Sequence, residues 1–424
     1  MKNKLAFYGG HKTITKSFDH FNSFDHGEIK AASKVIKKGV LSSFVGSWSE
    51  DFYGGEEVIK FEKKIADYFR VKYAISVNSW TSGLICAVGA IDIEPGDEII
   101  LPTWTMSACA TAILFWNAIP VFADIVEENQ CIDPISIEKN ISKKTRAIMA
   151  VDICGTSANI KEINKIAKKY KLKVISDTAQ APIAKYQNKF AGTITDIGGI
   201  SLNYHKHIHT GEGGVIFTNN RKYSEKMKMI RNHAEAVVSK RKNFKLTNMI
   251  GFNFRMCEIE ASIAQVQLKK LKKIVNKRIE FANMLTQGLR RLRGLTLPNI
   301  VTNQEHVFYT YPIIYDPNTF NLSRNKLIKM LNAEGIPQIG KGYVNIHLLP
   351  MFQKKIAYGK KGFPWNSKIN SRKINYNLGI CPVAEDLHFN KFIGFPISMY
   401  NFDKEKINLI IKAFNKVWSF LENK

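Results

Sequence analysis

The sequence predicts an α/β protein: a large domain built on a mostly parallel seven-stranded sheet between helices, followed by a smaller C-terminal α+β domain. Three observations carry this expectation. Seven short runs rich in β-branched residues lie between residues 73 and 219, and most are separated by segments of helical periodicity. Beyond residue 255 the pattern changes to one long amphipathic stretch.

The strand candidates are YAISV (73–77), DEIILP (97–102), IPVFADI (119–125), TRAIMAVD (145–152), LKVISD (172–177), IGGISLN (197–203) and GGVIFTN (213–219). They read as nearly continuous apolar runs rather than alternating ones, as strands buried on both faces do. IKEINKIAKKYK (160–171) has helical spacing. ACATAILFWNAIPVFA (108–123) contains Asn117 and Pro120 and falls short of the ~20 clean residues of a membrane span, so it is expected to be a buried helix running into a strand. In 261–289 Ile, Val and Leu recur at helical spacing with lysines opposite. HVFYTYPIIY (306–315) and a terminal helix over 404–421 belong to the smaller domain, and 356–387, mixed in Gly, Pro, Asn and Lys, is expected to be loop. The expected division is an N-terminal arm over 1–50, a large domain over 51–275 and a small domain over 276–424.

The 424 residues carry 62 Lys and Arg against 36 Asp and Glu, a net charge of +26. Such a chain could bind nucleic acid, an anionic membrane or acidic metabolites. Only twelve of the basic residues are arginines, the preferred residue for bidentate base and phosphate recognition, and the lysines are scattered in short runs. A solvated lysine surface is therefore expected, with neither nucleic acid nor membrane as partner. The six cysteines form no CxxC pair and no metal spacing with histidine, so reduced, mostly buried thiols and no metal are expected. The N-terminus lacks a sustained apolar segment, which makes the cytoplasm the expected location.

In a doubly wound sheet, ligands bind beyond the carboxyl ends of the strands. Four segments stand at such places. NSWTSGL (78–84) puts hydroxyls and free amides at a helix start, which could hold a phosphate but, taken alone, better fits an ordinary helix cap by Ser79 or Thr81. SDTAQAP (176–182) ends a strand on Asp177, either a cap or the partner of a buried cation. SLNYHKHIHTGEGG (201–214) sets Lys206 before a glycine turn, flanked by His205, His207 and His209, whose alternate spacing gives no shared helical face for a metal. GFNFRMCEIEAS (251–262) enters the long helix with Asn253 and Arg255 available to an anion.

The order of these segments, with SDTAQ and Lys206 five residues before GEGG, resembles the PLP-dependent sugar aminotransferases of the DegT/StrS type, fold type I, over residues 35 to 350. IEPGDEIILPTWT (93–105) and RNHA (231–234) share in it. The resemblance implies pyridoxal 5'-phosphate as cofactor, with Lys206 as Schiff-base lysine and proton shuttle, and Asp177 as partner of the pyridine nitrogen. It further places Gln180 near the ring hydroxyl, and Trp80, Thr81 and Ser201 around the phosphate. Asn253 would reach the phosphate from the neighbouring subunit of a homodimer with shared active sites.

Two departures from the family pattern stand out. An aromatic ring usually stacks on the cofactor where this sequence has Met106, so either Met106 or the nearby Trp104 is expected there. The chain also has an N-terminal extension and an insertion near 356–377. The implied reaction is transfer of an amino group from L-glutamate to a keto substrate, either a nucleotide-linked keto-sugar or a smaller phosphorylated ketone such as a sugar phosphate or glycerone phosphate, for a surface polysaccharide or an antibiotic. Lys341, Tyr343 and His347 are candidates for lining the substrate mouth. The alternatives are a keto-sugar dehydratase and a basic nucleic-acid-binding protein. Dehydratase relatives carry His at the Schiff-base position, which here is Lys206.

Overall fold

The computed structural model describes residues 4–240, 248–299, 304–370 and 372–423. Its centre is a seven-stranded sheet of β1 (Tyr73–Val77), β2 (Glu98–Pro102), β3 (Ile119–Ala123), β4 (Thr145–Val151), β5 (Lys173–Asp177), β6 (Ile197–Ser201) and β7 (Gly214–Thr218). The strand order is β1-β7-β6-β5-β4-β2-β3. All neighbours are parallel except β7, which runs antiparallel to both β1 and β6. The carboxyl ends of the other six strands therefore share one edge, and this edge collects the polar residues singled out in the sequence. Pro120, which cannot donate to a ladder, lies on the edge strand β3, where the missing donor does least harm.

The helices are α1 (His26–Lys38), α2 (Glu56–Phe69), α3 (Trp80–Ala90), α4 (Ala108–Phe115), α5 (Pro134–Asn140), α6 (Ile160–Tyr170), α7 (Arg221–Arg231), α8 (Glu258–Leu289), α9 (Arg324–Ala333) and α10 (Lys404–Glu422). The apolar stretch at 108–123 is indeed a helix, α4, turning into a strand, β3. One hydrophobic cluster joins α3, α4 and α6 to the sheet; a second joins α2 and α8 to its other face. A third lies between the C-terminal half of α8, α9, α10 and a three-stranded sheet of β8 (Leu295–Thr296), β9 (Tyr311–Tyr315) and β10 (Phe392–Phe395). Leu5 and Ile14 from the N-terminus complete this third cluster. Among the described residues, no helix is long and apolar enough to cross a membrane.

The segment expected as loop within the C-terminal domain is irregular, yet it packs on the large sheet. Trp365, Ile374, Tyr376, Cys381 and Ala384 are buried in the same cluster as the strands. Polar anchors hold it there. Tyr376 donates its hydroxyl to the Pro120 carbonyl at 2.6 Å, and Asp124 accepts from the Val383 and Ala384 amides at 2.9 Å each. The C-terminal part of the chain thus divides its packing between two cores.

Candidate active site

Asp177 ends β5 and is buried at the carboxyl edge. One of its oxygens, Oδ1, accepts from the Trp80 indole nitrogen at 2.7 Å and from the Ala179 amide at 3.1 Å; the other, Oδ2, accepts from the Cys109 thiol at 3.0 Å. The carboxylate is held by donors that carry no charge. Trp80 opens α3, and its ring reaches Asp177 because β6 is glycine-rich beside it. A side chain at Gly199 would put its Cβ 2.2 Å from the indole.

Lys206 lies on a loop between β6 and β7 whose ends are pinned. The Leu202 amide donates to the Gly213 carbonyl at 2.9 Å, and Asn203 Nδ2 donates to Glu212 at 2.8 Å. This turns the Lys206 side chain into the protein, where it is buried with its Nζ 4.6 Å from the centre of the Tyr309 ring. Loss of water lowers its pKa to about 8, an effect that the nearby Asp177 carboxylate partly opposes. His205 shares a 2.8 Å hydrogen bond with the Tyr309 hydroxyl, and burial lowers its pKa to about 4.

Gln180 is buried and committed on both ends: Oε1 accepts from the Cys154 amide at 2.8 Å, and Nε2 donates to the Tyr343 hydroxyl at 2.7 Å. Tyr309 and Tyr343 line a cleft of about 210 Å³ together with Trp104, Cys154, Phe392 and Gly342. Lys341 is exposed between Gly340 and Gly342, both of which face this cleft.

His347 does not line it. The ring is fully buried, with Nδ1 against the Thr103 hydroxyl at 2.5 Å and Nε2 against Glu385 at 3.0 Å, so it acts as a strut between β2 and the C-terminal segment. Trp104 is likewise enclosed, edge-on to Phe392 at 4.7 Å and beneath Gly342, whereas Met106 is 55% exposed.

At the other end of the site, Ser79 caps α3 by accepting from the Ser82 amide at 3.1 Å. The amides of Trp80 and Thr81 precede the first intrahelical bond and Thr81 is exposed, while Ser201 ends β6 on the same edge. Asn253 is exposed beside this turn: its carbonyl accepts from Asn78 Nδ2 at 3.4 Å and its side chain accepts from Arg255 Nε at 2.7 Å. The buried Arg231 of RNHA steadies the approach to the turn by donating to Glu62 at 2.6 Å and to the Ser76 carbonyl at 3.0 Å.

The donor set suits the cofactor that the resemblance implies. It offers an amine that can be neutral near pH 8, a buried carboxylate for a ring N–H, a fixed amide, and free backbone amides with hydroxyls for a phosphate. The Trp80 indole and the Cys109 thiol as supports of Asp177, and Tyr309 beneath Lys206, are not legible in the sequence. A large N–H-bearing ring within an otherwise small-residue turn was the one available hint of the first. Among the described residues, no cluster of His, Cys, Asp and Glu could hold a metal ion, and all six cysteines are free.

Residues 40–386 match the DegT/DnrJ/EryC1/StrS aminotransferase family. The chain is 35% identical over 364 residues to the dTDP-3-amino-3,6-dideoxy-alpha-D-galactopyranose transaminase of Aneurinibacillus thermoaerophilus, covering 85% of this chain and 90% of that one. It is 33% identical over 299 residues to the GDP-perosamine synthase of Caulobacter vibrioides, covering 70% and 79%. The crystal structure of NtdA from Bacillus subtilis with bound cofactor PMP superposes with a TM-score of 0.73 at 25% identity, covering 92% of this chain and 81% of that one. The chain belongs to the DegT/DnrJ/EryC1/StrS aminotransferase family and is a PLP-dependent aminotransferase of the sugar-aminating type.

Proposed function

We propose that this enzyme moves the amino group of L-glutamate onto the keto group of a nucleotide-linked keto-sugar, supplying an amino-sugar for a surface polysaccharide. The observation that carries the reading is the convergence of Lys206, Asp177 and Gln180 on one strand edge beside an aromatic cleft. The two relatives named for GDP- and dTDP-linked sugars favour a nucleotide-linked substrate over a free phosphorylated ketone.

Bound PLP supplies an electron sink that makes the C–H bond next to an attached nitrogen breakable. Around it the chain's residues divide the remaining work. Lys206 anchors the cofactor and then holds and returns the proton at Nζ, which its lowered pKa permits near neutral pH. Asp177, oriented by Trp80 and Cys109, keeps the ring nitrogen protonated. Gln180, fixed by Cys154 and Tyr343, meets the ring hydroxyl. The amides and hydroxyls at Trp80, Thr81 and Ser201 take the phosphate. Met106 covers the ring face, since Trp104 is engaged with Phe392. Asn253 contributes to the phosphate site of a second subunit, so the working form is a homodimer located in the cytoplasm. Lys341 and Tyr343 border the substrate.

The test is a panel of nucleotide-linked keto-sugars, sugar phosphates and glycerone phosphate offered to the glutamate-loaded enzyme, with the amine product read by mass spectrometry. Amination confined to nucleotide-linked substrates is expected. Equal kcat/KM on glycerone phosphate would contradict the assigned substrate class.

A further inference from the structure

A second cavity, of about 320 Å³, is connected to Gln180 through the hydrogen bonds of Arg278 and His207. It is lined on one side by a single face of α8, carrying Lys270, Lys273, Lys277, Arg278 and Phe281, and on the other by Phe21 and Tyr400–Phe402. Its volume is within the range of small-molecule sites.

Arg278 is its central feature. The side chain is buried, stacked over the Phe21 ring at 4.9 Å, and among the described residues no carboxylate lies within ion-pair distance of it. A buried cation without a counter-charge is costly, and burial alone lowers even this guanidinium to about 9. Two of its five N–H donors are spent, on His207 Nδ1 and on the Ser398 carbonyl at 3.2 Å. His207 is kept neutral by burial and donates its other nitrogen to the Gln180 carbonyl at 3.3 Å, so it offers Arg278 no negative charge. Of the remaining cations, Lys270 is neutralised by Asp25 at 2.9 Å and Glu28 at 2.7 Å. Lys273 and Lys277 have no such partner among the described residues and stand exposed at the mouth.

We propose that this cavity is a binding site for a ring-bearing phosphate ester of nucleoside monophosphate size, separate from the cofactor and substrate sites. The phosphate lies against Arg278, Lys273 and Lys277, where planar guanidinium and ammonium donors suit its oxygens. The ring lies against Phe21, Tyr400 and Phe402. The site is one hydrogen bond from His207, the neighbour of Lys206, and two from Gln180.

Isothermal titration of the holoenzyme with adenosine 5'-monophosphate tests it, with adenosine and inorganic phosphate as separate arms. The expected result is saturable binding of the nucleotide, with each fragment at least roughly tenfold weaker. The variant Lys273→Glu/Lys277→Glu changes only exposed positions and should keep the circular dichroism spectrum of the parent while weakening the nucleotide at least roughly tenfold. Nucleotide affinity unchanged in that variant, no binding at all, or inorganic phosphate binding as well as the nucleotide would each overturn the proposal.

Discussion

A lysine in water holds its proton to about pH 10.5; at position 206 the surrounding protein removes that water and the value falls to about 8. The shift is also a statement about stability. Between these two values the unfolded chain binds a proton that the folded chain does not, so the apoprotein gains stability as pH rises from 8 to 10.5, by about 3 kcal/mol at full effect. Below pH 8 both states are protonated and the full burial penalty remains. Thermal denaturation of the apoprotein against Lys206→Met checks this: the difference between the two should narrow over that pH interval, and a constant difference would refute it. Asp177→Asn keeps the acceptor for Trp80 but loses the charge, so turnover should fall by on the order of a hundredfold with little change in melting temperature. The placement of Lys206 and Asp177 at the carboxyl edge was legible in the sequence because each ends or follows a strand at a fixed distance from a turn. The contacts of Cys109 and the Trp80 ring were not, because their partner is 68 and 97 residues away.

At the scale of elements, close approach explains what composition could not. Trp80 reaches Asp177 only because β6 is bare at Gly199, where any Cβ would also meet the Val215 carbonyl at 2.3 Å. Gly199→Val should therefore destabilise the fold by about 1–3 kcal/mol, read as a lower denaturation midpoint, and should weaken cofactor retention by displacing the indole. A variant with an unchanged midpoint would contradict the packing described. The strands were legible as β-branched runs, and the long helix was placed correctly to within three residues at its start, Glu258 against the expected 261. The terminal helix α10 was legible from its periodicity, but the packing of residues 346–387 on the large sheet was not. That packing depends on isolated anchors, Asp124 and Tyr376, whose partners are more than 250 residues distant and leave no periodic trace. His347 was misplaced for the same reason: its strut to Thr103 and Glu385 exists only in the tertiary structure.

For the whole molecule, the charge of +26 no longer calls for a nucleic-acid partner. A few lysines are matched in exposed pairs, such as Lys38 with Glu56 at 2.6 Å and Lys63 with Asp67 at 3.0 Å, each a weak contribution to stability. The proposed homodimer leads to a separate expectation. The enzyme should sediment as a dimer, and Asn253→Asp should release cofactor more readily by placing a negative charge near the phosphate; a fully active monomer would remove the role given to Asn253. The central claim is that Lys206 is the residue through which the cofactor reacts. Its most direct measurement is the spectrum of the purified holoenzyme on addition of L-glutamate alone. The parent enzyme should lose the absorbance band of the lysine-linked cofactor and gain that of the aminated form, with release of 2-oxoglutarate, while Lys206→Ala should show neither change at a comparable rate. Lys206→Ala completing this half-reaction as fast as the parent would contradict the account.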